Sequence, residues 1–272
     1  MTAPSQATAT ADDAVMLGAL GILAYVASMM THEAFGHGVA CIIAGGHNVA
    51  MSGWNEGCDL NPEPLAITAA GPVVQFAGGL LAWLALRTLP ARGFAALRSV
   101  LWLYMAFDLL ISSGYIAFSG VADFGDSAVL IAGLSPHLLW RALLILIGAV
   151  IYYFSVWAAL LELGRFVGSD ERNRRLKRFV RIPYLAAGVF ACCAGALNKT
   201  MTPGLAVGLA LASSFGAGIG MVRLPYLRAA SRLKASVPGF HVTRNIGWIV
   251  VAAVLGAIFL VILGPGLGAQ NQ

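Results

Sequence analysis

Seven apolar runs, most of them near the roughly 20 residues a helix needs to cross a lipid bilayer, take up nearly the whole chain. They cover Ala14 to about Ala44, Pro64–Leu86, Leu97–Phe118, His137–Leu163, Ile182–Leu197, Pro203–Val222 and Ile246–Leu263. The fifth is short and rich in Gly and Cys, so the runs predict six or seven spans. Only 11% of the 272 residues are charged, against about 25% in soluble domains. Such a chain cannot wet its exterior, and the solvent it faces must be lipid. The expected fold is therefore an all-α, polytopic transmembrane helix bundle. The polar stretches between the runs are too short for a separate soluble domain. Residues 14–265 are read as one membrane domain, flanked by a C-terminal tail (266–272) and a disordered N-terminal tail (1–13) without the positive charge of a secretory signal.

Loop charge sets the orientation. Three loops are basic: Arg87, Arg92 and Arg98; Arg165 to Arg181, with seven Arg or Lys; and Arg223 to Arg244, with five. They alternate along the chain, so all three can lie on the cytoplasmic side of a cell inner or plasma membrane, together with the N-terminus. The remaining loops, Gly46–Asn61, Ser119–Pro136 and Asn198–Thr202, belong on the far side. The net charge of +5 sits in these loops and carries no motif of a nucleic-acid partner. Cys41, Cys192 and Cys193 lie in apolar runs and Cys58 in a loop, with no C-x-x-C pair. They are expected to pack as small residues, without disulfide or metal.

One apolar run is interrupted by chemistry. Thr31-His32-Glu33-Ala34-Phe35-Gly36-His37-Gly38 places three ionisable groups at membrane depth, where each costs a few kcal/mol and marks function by default. In H-E-x-x-H, two histidines four apart on one helix face bind zinc while the glutamate activates water. Here the histidines are five apart and would point about 140° away from each other in a regular α-helix. They converge only if the turn is wound wider, as in a π-bulge. Gly36 and Gly38 leave that backbone free to deform. The longer H-E-x-x-G-H spacing resembles the zinc motif of the soluble dipeptidyl-peptidase III family.

The surrounding sequence resembles another family. His37-Gly-Val-Ala-Cys-Ile-Ile-Ala-Gly45-Gly46 is similar to the segment after the zinc histidine of site-2-protease-like intramembrane metalloproteases. Ala69-Ala70-Gly71-Pro72-Val73-Val74-Gln75 resembles that family's Ala-Gly-Pro-x-x-Asn segment, with Gln75 in place of Asn. The nearest match to its aspartate motif is Phe124-Gly125-Asp126-Ser127, without the Asn-Pro element. The resemblance covers about residues 14–131, a metalloprotease-like core, and leaves 182–265 as additional spans with only lipid-facing packing or partner binding to assign.

That resemblance implies a zinc metallopeptidase. His32, His37 and Asp126 would bind Zn2+, Glu33 would act as general base, and Gln75 would help hold a membrane-spanning or membrane-edge peptide. Two histidines and one carboxylate leave the fourth zinc position open, as catalysis requires. His32 is eighteen residues beyond Ala14, about 27 Å of helix, so it reaches the far edge of the bilayer core where Asp126 also lies. Asp123, Asp108 and His47 stay open as rival ligands. His137, beside Pro136, is expected to cap its helix or meet headgroups, and Trp54 with the two acids of its loop to shape an entrance. Two other functions remain: a proteolytically inactive scaffold of the same fold, or a small ion or metal permease.

Overall fold

The computed structural model describes residues 12–90, 93–166, 172–227 and 241–268. Eight helices and one hairpin make up the chain in these regions. Helix α1 spans Ala14–Ile43 and is followed by a two-stranded antiparallel hairpin, β1 (Asn48–Met51) and β2 (Glu56–Cys58). Then come α2 (Leu65–Thr88), α3 (Ala95–Ala122), the short α4 (Asp126–Ile131), α5 (His137–Phe166) and α6 (Arg172–Ala196). Helices α7 (Pro203–Tyr226) and α8 (Ile246–Leu263) close the bundle. All but α4 are long and apolar enough to cross a membrane. With seven such helices among the described residues, the chain is a multi-pass membrane protein.

The fifth span begins at Arg174, eight residues before its apolar run. Arg174 to Arg181 continue the helix, because long basic side chains lose little freedom in a helix and can carry their charge to the interface. The basic segments gather at one end of the bundle. Arg175 grips Asp12 through two hydrogen bonds of 2.6 and 3.0 Å, and Asp12 also accepts from the Val242 amide. Arg244 pairs with Asp13, whose carboxylate caps the first turn of α1. Asp12 and Asp13 are thus anchored, while the rest of the tail read as disordered lies outside the described residues. At the same end Glu162, wholly buried, accepts from Arg87, Arg165 and the Trp83 indole. Two guanidinium groups supply what a buried carboxylate needs in place of water.

The opposite end carries the hairpin, α4 and the stretch after α8. Met51 pairs with Leu267, so the segment read as a C-terminal tail begins as a bridge to β1. The cysteine expectation is overturned here: Cys41 of α1 and Cys58 of β2 form a disulfide. The two are seventeen residues apart, and the turn at Gly45 and Gly46 folds β2 back onto α1. The bond pins the hairpin beside the polar turn of α1. Cys192 and Cys193 are free thiols. Alkylation of the denatured, unreduced chain is therefore expected to label two cysteines, and after reduction four. Four labels without reduction would show that the hairpin is not tied.

Helix α3 is the most enclosed span, with Trp102, Phe107 and Leu110 fully buried against Tyr25 of α1 and Phe179 of α6. Helices α5 and α8 turn most of their surface outward. In lipid the apolar effect does not drive helices together, so close packing and internal hydrogen bonds must do so. The Trp102 indole donates to the Ala159 carbonyl, and Tyr184 to that of Phe215.

Candidate metal centre

The wide turn required by the histidine spacing is present. Thr31–Gly38 is π-helical within α1 and returns to α-helix at Val39. An extra residue per turn brings His32 and His37 onto one face. Their Nε2 atoms lie 3.2 Å apart, and Asp126 Oδ2, at the first turn of α4, lies 3.1 Å from one and 3.3 Å from the other. A tetrahedral zinc with bonds of 2.0–2.1 Å has ligand–ligand edges of about 3.3 Å. The three donor atoms already form one face of such a tetrahedron.

The ring nitrogens facing away from this triangle are both committed. His37 Nδ1 donates to the Ile67 carbonyl at 2.8 Å, and His32 Nδ1 donates to the Gln75 side-chain oxygen at 3.1 Å. An oxygen acceptor on Nδ1 places the proton there and turns the Nε2 lone pair toward the triangle, the usual arrangement behind a metal-binding histidine. Asp126 brings a carboxylate oxygen to the two Nε2 atoms, and carboxylate is the form of this side chain that binds metal.

Space for an ion is made by a glycine. Gly71 of α2 faces the two imidazoles, and a Cβ there would stand 2.2 Å from His37 Nε2 and 2.7 Å from His32 Nε2. Across the same contact, a Cβ on Gly36 would meet the Gly71 Cα at 2.6 Å. The two helices touch backbone to backbone at this point, and α2 closes one side of the triangle without filling it.

The rivals for the third ligand are separated from it. Asp123 pairs with His137 and Arg141 at the mouth of α5, so His137 answers a carboxylate rather than a headgroup. His47 pairs with Asp59 on the exposed face of the hairpin. Asp108 is fully buried within α3, facing Ser28 and Tyr104. Gln75 is the residue whose place differs most from expectation. It has no exposed surface and is bonded to His32 and Ser28.

Glu33 is buried beside the two histidines and borders a cavity of about 1130 Å³. The cavity runs between α1, α3, α5 and α7, and its lining includes His32, Asp126, Tyr115 and Trp54. Tyr115 accepts a hydrogen bond from the Asp126 amide at 3.2 Å, which leaves its own proton to be given elsewhere. Trp54 and Tyr25 both bond to Ser213, on a second π-wound turn in α7. The last three spans are therefore not confined to lipid packing, because α7 forms one cavity wall. Sequence reasoning missed both Ser213 and Tyr115, which are ordinary residues in apolar runs. On the hairpin, Asn48 donates to Glu56 at 2.6 Å and to the Gly38 carbonyl at 3.3 Å once its amide is turned to face these acceptors. Burial pushes the Glu56 carboxyl up to about 7.

No protein-family model, curated protein or solved structure matches this chain. The functional reading rests on the site.

Proposed function

We propose that this chain is an intramembrane zinc metallopeptidase of the site-2-protease-like kind, cutting membrane-embedded or membrane-edge peptides. One observation carries the reading: two imidazole nitrogens and a carboxylate converge with zinc-like spacing next to a buried glutamate, inside a membrane bundle. His32, His37 and Asp126 would hold the ion, and His32 and Asp126 also line the cavity. Zinc bound there supplies a Lewis acid and lowers the pKa of water toward about 7.

The chain's own groups perform the proton work. Glu33 takes a proton from the water that adds to the scissile carbonyl. It returns that proton to the amine nitrogen as the C–N bond breaks. Tyr115, held by the Asp126 amide, has a hydroxyl proton free to give to the oxygen that becomes negative during addition. The cavity, lined by apolar side chains such as Ile111, Phe118, Leu205 and Leu209, suits an apolar peptide segment. Orientation follows from charge and redox chemistry together. The basic end belongs in the cytoplasm, and the Cys41–Cys58 disulfide at the far end suits an oxidising compartment. This fits an inner or plasma membrane with the zinc site near the outer boundary.

Zinc per chain in detergent-purified protein tests the reading. About one zinc is expected in the parent and background levels in His37→Ala and Asp126→Ala, since two ligands hold zinc far more weakly than three. The parent should also cut some member of a panel of single-span peptides. No zinc in fresh, chelator-free parent protein would overturn the metallopeptidase and leave the inactive scaffold. Zinc-dependent ion flux in liposomes without cleavage would turn the assignment to the permease.

A further inference from the structure

Arg141 stands in the second turn of α5, at the end of the bundle opposite the basic loops. Orientation by loop charge has no use for a cation there, and a charged group in an apolar span is costly enough to mark a role. The proteolytic chemistry above does not use it. Three nitrogens of its guanidinium are engaged. Nε donates to the Gly120 carbonyl at 2.9 Å, Nη2 donates to that of Val121 at 2.7 Å, and Nη1 lies 3.5 Å from Asp123 Oδ2. Gly120 and Val121 belong to the last turn of α3, where backbone carbonyls lack partners within the helix. A basic side chain placed there bonds them and meets the negative end of the helix dipole. The two helices touch at this point, since a Cβ on Gly120 would stand 2.6 Å from the Arg141 carbonyl oxygen.

The clamp lies at the root of the turn that delivers the third ligand. Helix α3 ends at Ala122, Asp123 turns the chain with a φ of 53°, Gly125 turns it again with a φ of 87°, and Asp126 opens α4. Besides Arg141, Asp123 is held by His137, whose Nε2 lies 3.0 and 3.1 Å from its two carboxylate oxygens. The far side of the turn is fixed as well. The Asp126 amide donates to the Tyr115 hydroxyl, and a Cβ on Gly125 would stand 2.3 Å from that same oxygen. Asp126 follows Asp123 by only three residues. Over so short a link, a displacement of Asp123 is passed on to Asp126. The imidazoles are aimed from a different element, α2, through the Ile67 carbonyl and Gln75.

We infer that Arg141 is a positioning residue: by clamping the C-terminal carbonyls of α3 and the Asp123 carboxylate, it holds the turn that presents Asp126 to the metal. The inference rests on the metal-site reading above. Arginine suits the task because its planar fork offers several donors in fixed directions, which the ammonium of lysine does not. The acid ligand is thereby tied to α5, while the two histidines are tied to α2. Loss of an outer group that orients a metal ligand lowers metal affinity by about 10- to 100-fold.

The test is a Co2+ titration of the full chain in detergent, read by midpoint and by visible spectrum, with circular dichroism on each preparation. Arg141→Met is expected to weaken binding by at least about tenfold. Its Co2+ spectrum should also change shape, because the carboxylate is displaced while the imidazoles stay. Asp123→Ala leaves the arginine on the α3 carbonyls and cuts only its tie to the turn, and a loss of the same order is expected. The double variant should be no weaker than the worse single one, because both substitutions cut the same link. A mere helix cap would lower the melting temperature of metal-free Arg141→Met and leave its Co2+ midpoint and spectrum parental, which would overturn the inference. Should Arg141→Met not fold, Asp123→Ala carries the test, and parental binding in it would overturn the inference equally. A parent chain that binds no Co2+ would instead remove the underlying metal-site reading, and the inference with it.

Discussion

Gly71→Ala is expected to fold and insert normally but to carry no zinc, and consequently to lose all peptidase activity. The reason is geometric. The new methyl carbon would stand 2.2 Å from His37 Nε2 and 2.7 Å from His32 Nε2. A zinc ion must sit about 2.0–2.1 Å from each of these nitrogens. Methyl group and ion would contend for one volume. The rings can swing away from a methyl, but only by breaking the Nδ1 bonds to Ile67 and Gln75 that aim them. Alanine is a better helix former than glycine by about 1 kcal/mol, so the helix itself does not suffer. Metal analysis and circular dichroism of the same preparation separate the two effects. Zinc at parental stoichiometry in Gly71→Ala would mean that the ion does not lie between these histidines.

Glu33→Gln is the complementary case, with metal kept and turnover lost. Glutamine has nearly the size of glutamate and can occupy the same buried place, but it cannot take up a proton. The ligand triangle is formed by His32, His37 and Asp126 without Glu33, so zinc content should stay at the parental value. Removing a general base lowers turnover by about 10²–10⁴-fold. Substrate binding, measured with the inactive variant, should be nearly unchanged. Loss of zinc in Glu33→Gln would recast Glu33 as a ligand, and full activity would place the base elsewhere in the cavity.

Much of this molecule was legible before its structure. The apolar runs gave the spans because lipid acts on each residue separately: every backbone group must be bonded within its own helix, and every exposed side chain must be apolar. The alternation of basic loops announced which helix ends meet, and Asp12, Arg175, Val242 and Arg244 do meet at one end. Even the π-wound turn at Thr31–Gly38 followed from local arithmetic. Two histidines five residues apart cannot share a face of an α-helix, and a polar pair at membrane depth needs company.

Other features depended on how helices rotate and approach each other, which no single run reveals. Asp126, Asp123 and Asp108 are all acids in or near α3 and α4, and only the packing of α4 against α1 and α2 decides which one meets the histidines. Cys41 read as a packing residue because its partner lies beyond a turn, on a hairpin too short to stand out in the sequence. Gln75 read as a substrate contact through a resemblance, whereas the rotation of α2 buries it against His32 and Ser28. Gly71 carried no sign of its role, because its missing side chain matters only once α1 is beside it. By itself the sequence determined the apolar runs, the gathering of charged ends and the wide winding of the α1 turn, since these follow from solvent and from spacing along one helix. The acid that meets the histidines, the disulfide, the space at Gly71 and the wall supplied by α7 were decided by tertiary structure alone, since each is a contact between segments far apart in the chain.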